Sequence, residues 1–245
     1  MTTRAGHWNA LDLPTGKWID WRYRPDDDKL GRFVKQVHSY GGLAIVNHPE
    51  APEGACGGCS WGFGYGPMDG MEVWNGPWDL FDQFAVDAWV GMLDGGRFIT
   101  AVGSSDAHRD PDVIGLGQTV VRAAGLSRDD IIAGIGRGRA YVAGDQSVAL
   151  NLTASKGSTK AGIGGRLEVK KGANVTVTFT AAGAMGDLAT LYLGEGAFMD
   201  PVPITSDDFT TTWTVTPKQA RYVRVEIKAG TQMVALSNPI FLGTK

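Results

Sequence analysis

Apolar residues fall at helical spacing in three stretches of the first 145 positions and at strand spacing almost everywhere after them. Leu30, Phe33, Val34 and Val37 stand at i, i+3, i+4 and i+7, one face of a helix. Asp26, Asp27 and Asp28 are placed to open it, as acids in its first turn, and Gly41-Gly42 to end it. Leu43–Asn47 follows at once, a short unbroken apolar run of the kind that forms a buried parallel strand. Gly70–Trp74, Phe98–Val102, Gln118–Val121 and Ala140–Ala143 read as four more strands. Residues 79–94, with Leu80, Phe84, Met92 and Leu93 among the apolar positions, predict a helix stopped by Gly95-Gly96. Ser127 and Asp130 cap another that reaches Gly136. Alternation of this kind predicts a parallel α/β sheet or barrel. The start of the chain, by contrast, shows no entry strand and no capped helix.

Beyond about residue 145 the period changes to two. Asn174–Thr180, Ala189–Leu193, Thr210–Val215 and Arg221–Ile227 alternate Thr and Val between Gly, Pro and Asp turns. That pattern predicts a small antiparallel, immunoglobulin-like β-sandwich over residues 148–245, after an α/β part over 1–147.

Composition narrows the function classes. With 43 % hydrophobic and 20 % charged residues the chain is of ordinary globular make-up. No apolar run nears the roughly 20 residues that span a bilayer, so no membrane role is expected. A net charge of −3 gives no general attraction for nucleic acid or anionic lipid. The N-terminus has no apolar export signal, which leaves the compartment open: cytoplasmic, or exported if an upstream segment is missing. Thirty-five glycines, about twice the usual share, imply many tight turns.

Four histidines are present, and their contexts differ. His48 follows a predicted strand and precedes Pro49. Asp106 and His108 follow another, in Gly103–His108. If the chain is extended there, positions i and i+2 point the same way, so an Asp-x-His pair can converge on one ion. At the carboxyl ends of parallel strands, where catalytic groups collect, His48, Asp106 and His108 offer two imidazoles and a carboxylate, an open shell for a catalytic metal. Each feature alone is weak, since a histidine after a strand is more often a hydrogen-bonded loop residue. Arg109 is either a clamp for an anionic substrate group or a solvated cation. His38 sits on the first helix and reads as a surface or packing residue. Cys56 and Cys59 have CxxC spacing in a Gly-rich loop; a loop-stapling disulfide is expected in an exported chain and free thiols in a cytosolic one, with a metal role as the lesser alternative because no second pair is present. Trp61, Phe63, Tyr65, Trp74 and Trp78 crowd the same region, as local packing or as an apolar wall for a ligand.

In order along the chain, Gly6–Asp12, Gly41–Pro49, Gly70–Gly76 and Gly103–Arg109 resemble successive motifs of the polymerase-and-histidinol-phosphatase (PHP) superfamily, in its CehA/McbA-like metallohydrolase branch. Ile131–Val142 and Ser237–Phe241 resemble the same branch. The resemblance implies a distorted (β/α) barrel holding one to three divalent ions, Mn, Zn or Fe. It implies hydrolysis of a small phosphoester by a metal-activated water, or of a carbamate or carboxyl ester at the same site. His7, His48, Asp106 and His108 would hold metal, Asp106 and His108 being catalytic, with Arg109 and Asn75 facing substrate; Glu72 is not counted as a ligand. The family's opening His-x-His, Thr-Asp-His and Gly-x-Glu segments have no counterpart here, so part of a barrel is expected. Leaving on the order of 1,000 Å² of its inner face open would forgo about 25 kcal/mol, more than a domain's net stability. Either a second copy or residues 1–25 should cover that side, and a half barrel kept only as a binding module is the non-catalytic alternative.

Overall fold

The structure, a computed structural model, describes residues 2–52 and 59–244. In chain order the first half contains β1 (His7–Leu11), α1 (Leu30–Ser39), β2 (Leu43–Asn47), β3 (Gly70–Asn75), α2 (Leu80–Asp94), β4 (Thr100–Ser104), β5 (Gln118–Val121), α3 (Arg128–Gly136) and β6 (Ala140–Ala143). The second half is all strand: β7 (Ala149–Lys156), β8 (Thr159–Gly162), β9 (Arg166–Leu167), β10 (Val175–Ala182), β11 (Leu188–Gly194), β12 (Ala197–Phe198), β13 (Val202–Pro203), β14 (Phe209–Val215), β15 (Tyr222–Ala229), β16 (Gln232–Ser237) and β17 (Ile240–Leu242). The fold is mixed α/β, with strands in the majority.

The first sheet has the order β1-β2-β3-β4. β2, β3 and β4 are parallel, whereas β1 runs antiparallel to β2 with His7 opposite Asn47. The amino end of β1 therefore lies at the carboxyl ends of the three parallel strands. α1 buries Leu30, Phe33, Val34 and Val37 against Trp8, Ala44 and Val46, the face its spacing predicts. Ile19 and Tyr23 join this cluster, and the Trp8 indole N–H donates to the Tyr23 hydroxyl at 2.9 Å.

Three details differ from the sequence expectations. The opening segment does form a strand, β1, paired with β2 from His7 to Leu11 and with Trp8 fully buried. The aspartates do not start α1. Asp26 and Asp27 belong to a separate 3-10 turn (Pro25–Asp27), and Asp28 at φ 48° breaks the chain before the helix begins. On α2 the buried face is Ala85, Val86, Trp89 and Leu93, while Leu80 and Phe84 at its amino end are exposed.

The expected barrel is the larger difference. Among the described residues the strands do not close. The parallel run stops at β4, and β5 and β6 pair antiparallel with each other. They continue a nine-stranded sheet through β16, with Ala143 opposite Ala235. Side chains rather than a ladder join β4 to this sheet. The Asn238 amide accepts from Ala101 N–H at 2.8 Å and donates to the carbonyls of Ala101 (2.9 Å) and Ala140 (3.0 Å). The Thr119 hydroxyl accepts from Gly103 N–H at 2.9 Å and donates to Gly103 O at 2.8 Å. Gly103 makes this approach possible, because a Cβ there would stand 2.1 Å from the Gly117 carbonyl.

The remaining sheet, β14-β10-β7-β8, faces the nine-stranded one. Leu152, Val177, Phe179 and Val215 from one share a core with Leu191, Val225, Ile227 and Ala235 from the other. The period-2 sequence pattern appears directly as alternating burial along β7 and β10. No helix is long and apolar enough to cross a membrane among the described residues.

Candidate metal centre

His7 opens β1 and His48 follows β2, so the reversed direction of β1 brings them to one end of the sheet. Their rings lie 4.9 Å apart, edge to face at 74°. The backbone of His48 is left-handed, φ 26°, which costs a non-glycine residue on the order of 1–3 kcal/mol. Glu72 on β3 holds it there, its Oε2 accepting from His48 N–H at 2.6 Å. His48 Nδ1 is closed off from solvent and has no hydrogen-bond partner among the described residues. Burial, then the neighbouring His48, pushes the His7 pKa down, which favours the neutral imidazole that can bind a metal.

Cys59 makes a third donor beside the two histidines. The ligating atoms of His7, His48 and Cys59 all lie within 4.8 Å of one another. Cys59 is buried and disulfide-bonded. The chain's other cysteine, Cys56, lies outside the described residues, as does that part of the expected CxxC loop.

Asp106 and His108 lie beside this group rather than within it. Both act electrostatically on His7, Asp106 raising its pKa and His108 lowering it. Their approach is not the extended i, i+2 arrangement: Asp106 has φ 47°, and the imidazole turns back to within 3.8 Å of the Asp106 carboxylate. Asp112 fixes this turn by accepting from the N–H groups of His108 (2.9 Å) and Arg109 (3.0 Å). Arg109 is exposed. His38, away from this end, bonds Asp69 at 2.7 Å.

Glu72 is the residue the sequence reading undervalued. It is 5 % exposed, and besides His48 it accepts from Asn75 Nδ2 at 3.1 Å and from the Ser104 hydroxyl. Burial pushes its pKa up against these bonds. A carboxylate on a strand buried along nearly its whole length, Gly70–Asn75, is the signal that could have found it. Asn75 thus positions Glu72 while lining a cavity of about 240 Å³ with His48, Glu50, Phe81 and Asp82. None of the five crowded aromatics lines it. They pack among themselves, Trp61 on Phe63 at 5.1 Å and Trp74 on Trp78 at 5.1 Å. A larger cleft of about 920 Å³ opens at the far end of α2, between Asp94 and Arg166, but no histidine lines it.

Asp82 sets the pH behaviour of this wall. It accepts from Asn75 N–H at 2.8 Å and Asp79 N–H at 2.9 Å, yet burial outweighs both and pushes its pKa up to about 7. The unfolded chain loses this proton near pH 4 and the folded chain near pH 7, so stability falls as pH rises through that window. At 1.36 kcal/mol per pKa unit the change is on the order of 4 kcal/mol. Urea unfolding at pH 5 and pH 8 should show this fall, and Asp82→Asn should make it smaller, leaving the fall of the same sign that the raised pKa of Glu72 adds.

No protein family, characterised protein or solved structure matches the chain. What the fold and the site define together is a mixed α/β protein with an imidazole-rich donor cluster at the carboxyl edge of a short parallel sheet.

Proposed function

We propose that this chain is a metal-dependent hydrolase of the PHP type, acting on a small phosphoester. The observation that carries it is the His7–His48 pair, with one imidazole nitrogen held buried and without a hydrogen-bond partner among the described residues, where four strands present their site ends. In this reading the first sheet corresponds to part of a PHP barrel. His7 and His48 would hold a divalent ion, Mn, Zn or Fe, and Asp106 and His108 would reach it from the turn after β4. Such an ion, when bound, lowers the pKa of water and polarises the ester oxygen.

The chain's own residues do the rest. Glu72 fixes the His48 backbone and therefore the direction of its ring. Asn75 and Ser104 hold Glu72 in turn. Asp112 keeps Asp106 and His108 on one turn, with Arg109 beside them as an exposed cation for the substrate's negative group. Phe81, Ala51 and Pro52 give the adjoining cavity an apolar wall for the group esterified to the acid.

The test is turnover of p-nitrophenyl phosphate, bis-p-nitrophenyl phosphate and an aryl carbamate after loading with Mn²⁺ or Zn²⁺. Metal-dependent hydrolysis of a phosphate supports the proposal. Activity on the carbamate alone moves the assignment to acyl chemistry, and no turnover on any of the three sinks it.

A further inference from the structure

We propose that the disulfide at Cys59 is a redox gate on this metal centre: its reduction adds a thiolate to His7 and His48 and shifts the site's preference from Mn²⁺ to Zn²⁺. The inference rests on the reading that the two histidines hold metal.

The segment after Cys59 is held by bonds other than the disulfide. Three hydrogen bonds tie it to the two histidine segments. Gly62 N–H donates to the Ala5 carbonyl at 2.9 Å, two residues before His7. Trp61 N–H donates to the Pro49 carbonyl at 3.0 Å, one residue after His48. The Ser60 hydroxyl donates to Ala51 O at 2.8 Å. Gly6 closes against the same segment, since a Cβ there would stand 2.7 Å from the Trp61 ring. Cys59 itself is 2 % exposed. Breaking the sulfur–sulfur bond therefore leaves the chain anchored immediately after Cys59, with its Sγ next to two imidazoles.

Tetrahedral zinc, with Zn–N about 2.0–2.1 Å and Zn–S about 2.3 Å, needs donor atoms roughly 3.3–3.6 Å apart. The present donor atoms all lie within 4.8 Å of one another, so they need to close by at most about 1.5 Å. A disulfide sulfur has no thiolate charge to give, so the oxidised site offers imidazole and carboxylate, a harder set that suits Mn²⁺ or Fe²⁺. A dithiol reductant supplies two electrons: its thiolate attacks the disulfide, the mixed disulfide resolves, and two cysteine thiols and one oxidised dithiol result. The Cys59 thiol then loses its proton as the metal binds. Three donors including a thiolate favour Zn²⁺.

The full chain, titrated with Co²⁺ as a tetrahedral spectroscopic probe with and without a phosphine reductant, tests this. A near-ultraviolet thiolate-to-cobalt charge-transfer band should appear only after reduction. Zn²⁺ affinity, read by chelator competition, should rise at least about tenfold with it, while Mn²⁺ affinity stays level. Cys59→Ser should lack the band in both states, and Cys56→Ser, which leaves Cys59 without a cysteine partner in the chain, should show it without reductant. The same spectrum and affinities in both states, or a band that survives in Cys59→Ser, overturn the gate and leave the metal centre standing. Failure to bind any of the three metals in either state overturns both.

Discussion

Replacing His48 by alanine should lower metal-dependent turnover on the order of 10³-fold and leave the fold largely intact. A metal centre supplies several kcal/mol of transition-state stabilisation, and each 1.36 kcal/mol is tenfold in rate. The backbone is the complication, because alanine at φ 26° keeps the strain and loses the ring that fills the site. His48→Asn separates the two effects. Asparagine tolerates the left-handed region better than alanine, and both keep a backbone N–H that donates to Glu72 Oε2. Both variants should lose metal in a dialysis and elemental-analysis measurement, and Asn should melt above Ala. A His48→Asn protein that retains metal and rate would remove His48 from the centre.

The largest loss of stability is expected from Asn238→Ala, on the order of 3–5 kcal/mol by urea unfolding. Its amide makes three hydrogen bonds, and the residue has no exposed surface. Truncation leaves the Ala101 N–H and the Ala101 carbonyl without partners inside the protein, at about 1–3 kcal/mol for each buried group, while Ala140 O keeps the backbone N–H of residue 238 at 3.3 Å. Asn238→Asp should rescue little: its side chain can accept from Ala101 N–H but has no N–H for the Ala101 carbonyl, and it brings a buried charge. If Asn238→Ala unfolds within about 1 kcal/mol of the unsubstituted protein, β4 is not joined to the second sheet through this amide.

The elements that could be read from the sequence are those whose own spacing decides them. Leu30, Phe33, Val34 and Val37 need only one helix face, and Ser127 caps α3 through its side chain to Asp130 N–H. What could not be read depends on residues far apart in sequence. The barrel expectation followed strand–helix alternation, which does not reveal that Asn238 and Thr119 occupy the edge where a parallel neighbour of β4 would pair. The site divides in the same way. His7 and His48 come from motifs local enough to recognise, and the structure brings them together. The turn at Asp106 and the support from Glu72 required the left-handed backbone at residues 106 and 48, which no period in the sequence shows. Cys59 required the loop between β2 and β3 to fold back onto Ala5 and Pro49.

The Asn238 contact also has a bearing on how the protein is made. Ala101 waits 137 residues for the amide that satisfies it. At about 5–20 residues per second, a ribosome delivers that amide roughly 7–27 seconds after β4 has been synthesised. During that interval the nascent chain carries β4 with its far edge unpaired, and α2 packed without Tyr222, Met233 and Leu236, which complete its apolar cluster. The site-bearing layer is therefore an early product of translation but a late product of folding, and its nascent form is the stage at which chaperone engagement or misassembly would act.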